Sequence, residues 1–208
     1  MFIKPKALRN IQHNLNWIVI ALFFFLFGII LPMFLSGREN FFFLELTENQ
    51  QHFLAEMAEI IFTGSPLRGI AILFLNNLLA SVQMMLFGIF IGIPPLMGLF
   101  TNGFLLGNIL LSLEYEGASL LTFIAAGVLP HGVFELPAFI VSASFGLKIG
   151  FHLLFPLPQK KRGESLKFIW QEYLALLPLI VYLLLIAAIV EITLTPLLLK
   201  RFLFPLGQ

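Results

Sequence analysis

Leu129-Pro130-His131-Gly132-Val133-Phe134-Glu135-Leu136-Pro137 decides how this chain is read, because it sets a histidine and a carboxylate four residues apart inside a long apolar run. Two prolines and a glycine bracket the pair, so a plain helix is not the default; a helical course would set His131 and Glu135 on one face, and a break over 131–136 is equally open. In a membrane an ionisable side chain costs at least about 2.5–3.5 kcal/mol, and unwound backbone must find its partners in protein or water. A segment that accepts both penalties is expected to form a site or a structural joint.

The membrane premise comes from composition. The chain has 208 residues, of which 59% are hydrophobic and 11% charged. Its mean hydropathy is +0.98. A soluble domain carries about 25% charged residues, so an aqueous home is excluded. All eleven acids are Glu, and there is no Cys, which removes disulfides, thiolate metal sites and cysteine nucleophiles. A net charge of +1, with no basic stripe interleaved with aromatics, gives no sign of a nucleic-acid partner. The bilayer is the expected partner.

Counting apolar runs gives an all-α polytopic membrane protein. Spans are expected at about 15–35, 69–93 and 96–113, with 118–155 too long for one crossing of about 30 Å and a last span over 168–199. The first run follows Lys4, Lys6 and Arg9 and is too long for a signal core, so it is expected to be a retained span. Lys160, Lys161, Arg162 and Lys167 form a second basic cluster, whereas 36–68 holds five Glu against two Arg. Placing both basic clusters in the cytoplasm favours five crossings over six. On that reading 118–136 is a short, re-entrant or broken element and 137–155 the true crossing. The polar insert 36–68 lies outside, with an amphipathic helix carried by Phe53, Leu54, Met57, Ile60 and Ile61. That helix reads as interfacial packing or as a docking surface.

Glycine spacing supplies the packing logic. Gly88 and Gly92, Gly103 and Gly107, and Gly146 and Gly150 make three GxxxG pairs on separate spans. Small residues let helices approach in lipid, where no hydrophobic drive brings them together. These pairs suit internal packing, a homodimer face, or both. Polar groups also recur within the spans: Asn76, Asn77, Gln83, Asn102, Asn108 and Glu191. Carboxylates such as Glu135 and Glu191, set among aliphatics, normally pair or give up their charge and mark functional sites by default. Lys148, two turns from a helix end, is expected to snorkel to the interface.

Together these residues carry a family resemblance. Pro130-His131-Gly132-Val133-Phe134-Glu135-Leu136-Pro137-Ala138 resembles the signature of the stage II sporulation protein M (SpoIIM-like) integral membrane family. Asn76-Asn77, Gly88 and Gly92, Asn102-Gly103 with Gly107, and Glu191 followed by Thr195-Pro196 agree with it. The resemblance implies a cell-membrane anchor or scaffold that holds a peptidoglycan-degrading complex during engulfment of the forespore. Other membrane or envelope proteins are then the expected partners.

Three roles follow for the polar cluster His131, Glu135, Glu191, Asn77 and Asn102. It is a buried structural joint, an ion, proton or small-solute pathway, or, least favoured, a catalytic centre. Catalysis finds no His-Glu-x-x-His, no nucleophile elbow and no phosphate loop. No enzymatic activity and no cofactor are therefore expected, and a scaffold is preferred to a pathway.

Overall fold

The computed structural model of the chain describes residues 5–35, 56, 59–115 and 119–202. Among these the structure is all helical. A short helix α1 (Pro5–His13) leads into α2 (Leu15–Leu35), with Asn14 as the break between them. Helix α3 (Pro66–Leu86) starts on Ser65, whose hydroxyl accepts from the Arg68 amide, and on Pro66, whose fixed φ suits a first turn. A 3₁₀ turn (Phe87–Ile89) and the left-handed pair Ile91 (φ 58°) and Gly92 (φ 74°) reverse the chain into α4 (Ile93–Tyr115). Helix α5 (Leu120–Phe123) is capped by Ser119 and widens into a π segment, Ile124–Val128. Helix α6 (Leu129–Leu154) follows directly. After the Pro156–Pro158 loop come α7 (Arg162–Thr193) and a short α8 (Thr195–Phe202).

Among the described residues, five helical stretches are long and apolar enough to cross a membrane: 15–35, 66–89, 93–114, 120–154 and 162–193. Many of their apolar side chains, Phe23, Leu75 and Leu79 among them, face outward where lipid would lie.

Glycines set the closest approaches. Gly28 of α2 lies against the Phe100 carbonyl and the Phe104 amide of α4, while Gly103 and Gly107 lie against the Phe25 and Ile29 carbonyls. Gly88 meets Gly146, and Gly150 meets the backbone of Ile91 and Gly92. A side chain at any of these points would run into backbone, which cannot move aside. All six GxxxG glycines are engaged inside the chain, so none of them offers a free face to a second copy. Around these contacts Met85, Phe145, Ile169, Tyr173, Leu176 and Ile180 form the apolar centre between α3, α6 and α7.

Two boundaries differ from expectation. Residues 118–136 and 137–155 are not a short element and a separate crossing, because one helical stretch runs from 120 to 154. Its interruption lies within 118–137, but at the π segment 124–128 rather than across His131–Pro137. Unwinding in lipid would strand many backbone groups, whereas Pro137 inside a helix gives up one hydrogen bond. Pro130, in the first turn of α6, needs room where its ring meets the preceding turn, and the wide π turn supplies it. The span expected over 168–199 instead breaks at Leu194, between α7 and α8. The expected amphipathic helix falls largely outside the described residues, although residues 59–62 are helical.

Candidate functional site

Helices α6 and α7 run antiparallel in a register that sets His131 and Glu135 opposite Glu191, near one end of the pair. One helical turn separates His131 from Glu135, which puts both on one face of α6. Of the two courses open to 131–136, the helical one is what aims them together. His131 Nε2 lies 4.0 Å from Glu191 Oε2. Ligand-type atoms of His131, Glu135 and Glu191 all fall within 4.8 Å of one another. On its other edge, His131 Nδ1 is 3.4 Å from Thr195 Oγ1, and that hydroxyl donates to the Val190 carbonyl at 3.4 Å. The break at Leu194 matters here, because it turns Thr195 back toward the imidazole.

A cavity of about 270 Å³ opens beside this cluster. Its polar lining comes from Asn76, Asn77 and Ser81 of α3, Asn102 of α4, and His131 and Glu135 of α6. Phe25, Leu136, Phe139 and Leu184 supply much of the apolar wall. Two polar atoms here, Asn77 Nδ2 and Ser81 Oγ, are buried without a hydrogen-bond partner. An unpaired buried donor costs about 1–3 kcal/mol, so such groups normally have something to bind. Asn102 differs, since its amide donates to the Gly98 carbonyl at 2.8 Å.

The sequence-expected residues therefore divide. His131, Glu135 and Glu191 come together, and Asn76, Asn77 and Asn102 line the adjoining cavity. Gln83 and Asn108 are not among the cavity's lining residues. Ser81 was missed, because a lone serine in an apolar helix carries no signal of its own.

A second polar node was missed more completely. Lys148 does not snorkel: it is 4% exposed, and its Nζ donates to Glu172 Oε2 and to Asn14 Oδ1, each at 2.6 Å. Asn14 Nδ2 in turn donates to the Asn10 carbonyl, and Asn10 Nδ2 to the Glu172 carbonyl. This knot ties the α1–α2 junction to α6 and α7, about 25 Å along α6 from His131 at 1.5 Å per residue. Its partners are distant in sequence, so no local pattern announces them.

Comparison with known proteins agrees with the motif. The family profile described as stage II sporulation protein M matches residues 21–196. An uncharacterised protein of Methanocaldococcus jannaschii is 33% identical over 123 residues, covering 58% of this chain and 67% of the relative. No solved structure matches the chain. With its signature segment, polar cluster and five apolar helices inside or overlapping the matched region, this multi-pass membrane protein belongs to the stage II sporulation protein M family.

Proposed function

We propose that the chain is a non-enzymatic membrane protein whose intramembrane pocket holds a small cation or polar solute, as one station of an ion or solute pathway. One observation carries this reading: the loosely spaced His131–Glu135–Glu191 cluster borders a cavity whose lining includes Asn77 and Ser81, each with a buried polar atom that has no hydrogen-bond partner. A dry structural joint would close these groups onto one another at hydrogen-bond distance and fill the space beside them. The 4.0 Å spacing of His131 and Glu191 is too long for that. Intramembrane sites of this kind recur where polar side chains from several helices converge on a cavity.

A second reading, a membrane anchor or scaffold for envelope-remodelling partners, is what the family resemblance implies, and the family's name suggests a sporulation-related setting. In both readings the basic residues Lys160, Lys161 and Arg162 put residues 155–161, and with them α1, on the cytoplasmic side.

Flux measurements on the protein reconstituted in liposomes separate the two. A pathway gives cation or proton flux that Glu135→Gln and Glu191→Gln abolish. A scaffold gives no flux at any pH, yet retains its partners in crosslinking pull-downs from native membranes.

A further inference from the structure

The bare spacing of the cluster asks what would occupy its centre. When Nδ1 of His131 donates to Thr195 Oγ1, whose own hydroxyl hydrogen goes to the Val190 carbonyl, Nε2 presents a lone pair toward the Glu191 carboxylate. Two electron-rich atoms then face each other across 4.0 Å, with Glu135 as a third. Nothing in that geometry attracts them to one another, and a cation between them would. Lys148, the nearest buried ammonium in α6, is held by Glu172 and Asn14 at the far end of the helix.

We propose that His131 Nε2, Glu135 and Glu191 bind a divalent first-row transition-metal ion, held at the edge of the pocket. The donor set argues the class. One imidazole with two carboxylates and no thiolate suits Mn²⁺, Fe²⁺, Co²⁺ or Zn²⁺ better than Mg²⁺ or Ca²⁺, which take oxygen ligands alone. The charge argues the same way: a dication balances two carboxylates inside a low-dielectric bundle, and a monovalent ion balances only one.

Metal–ligand bonds of about 2.0–2.2 Å place ligand atoms roughly 3–3.5 Å apart, so closure needs only small side-chain rotations from the present spacing. Thr195 orients the imidazole by holding its other nitrogen, as partners of metal-bound histidines do. Three protein ligands leave coordination positions open, and the open side is the cavity. That cavity is lined in part by Asn77 and by Ser81, only 1% exposed, whose buried Nδ2 and Oγ atoms have no hydrogen-bond partner of their own. This inference rests on the pocket reading above and names the ligand it takes.

The test uses the tag-free full chain in detergent or nanodiscs, titrated with Mn²⁺ by loss of the free-ion paramagnetic resonance signal and with Zn²⁺ by calorimetry. One site per chain is expected, with Zn²⁺ tighter than Mn²⁺ and Mg²⁺ a poor competitor. Glu191→Gln and His131→Ala should each weaken binding by at least ~10-fold while helix content by circular dichroism stays at the parent level. Glu114→Gln, exposed at the end of α4, should leave binding unchanged. No saturable binding by the folded parent overturns the proposal. So does equal affinity in parent, Glu191→Gln and His131→Ala. Where His131→Ala fails to fold, the near-isosteric Glu191→Gln decides alone. Monovalent or proton flux that depends on Glu135, without divalent binding, overturns the metal and leaves the pocket reading standing. Absence of both binding and flux removes both.

Discussion

Two ionisable clusters bridge α6 and α7, and they are built to opposite specifications. At one end Lys148 and Glu172 sit 2.6 Å apart with side chains 5% and 9% exposed, and Asn14 adds a second close acceptor. At the other end His131 and Glu191 stand 4.0 Å apart with side chains 19% and 24% exposed, next to a cavity. The first is closed: charge is matched and the ammonium is engaged by two close acceptors. The second is open, with two carboxylates to one imidazole and room alongside. Intramembrane charge is a functional-site hypothesis by default, and the contrast shows how geometry sorts such hypotheses. Short, matched and enclosed groups hold helices together. Spaced, unmatched and accessible ones are available to a ligand.

The largest blow to this contrast falls on the closed cluster. Glu172→Ala strands Lys148 as an unpaired buried charge and should destabilise the fold by about 3–5 kcal/mol, read from reversible unfolding in mixed micelles. A loss below about 1 kcal/mol would mean that Lys148 reaches water after all. At the open cluster, Thr195→Val removes the group that orients His131, and should weaken divalent binding ~10-fold with little change in melting. If it lowers the melting temperature and spares binding, Thr195 is only a helix-end residue. Glu135→Gln should change stability by less than about 1 kcal/mol in the same micelles, because Glu135 is not locked into a short ion pair. A penalty as large as that of Glu172→Ala would erase the distinction and make both clusters joints. The smallest effect is expected from Lys148→Met with Glu172→Met and Asn14→Leu, which removes the Asn14 oxygen that would otherwise lose its donor. Replacing a whole buried pair by apolar side chains is often neutral or stabilising, so no loss of stability should be measured.

Much of this was legible in the sequence, for identifiable reasons. Apolar run length anticipated helices at 15–35 and near 93–114 that are long and apolar enough to cross a membrane, since lipid thickness leaves little choice. His131, Glu135 and Glu191 stood out because charge in a greasy run is rare. The course of the backbone over 131–136 stayed open between helix and break, because turn preferences learned in water weaken where unwinding strands backbone groups without partners. Lys148 was misjudged for a different reason. A lysine near a helix end ordinarily snorkels, and only the folded chain shows that Asn14 and Glu172 arrive there first. The pocket itself, framed by Asn77, Ser81 and Asn102 from two helices and His131 from a third, is a product of packing that no single segment encodes.

The glycine contacts between the 88–92 turn and α6 have a consequence for biosynthesis. At roughly 5–20 residues per second, Gly146 and Gly150 leave the ribosome several seconds after Gly88 and Gly92. The α3–α4 hairpin is therefore inserted with its most intimate docking surface still waiting for a partner. During that interval the flat glycine face is open to lipid, to an insertase, or to the hairpin of another nascent chain. Assembly quality in the cell then depends on how promptly α6 follows α4 into the bilayer, and slowing translation between residues 115 and 146 should raise the fraction of misassembled protein.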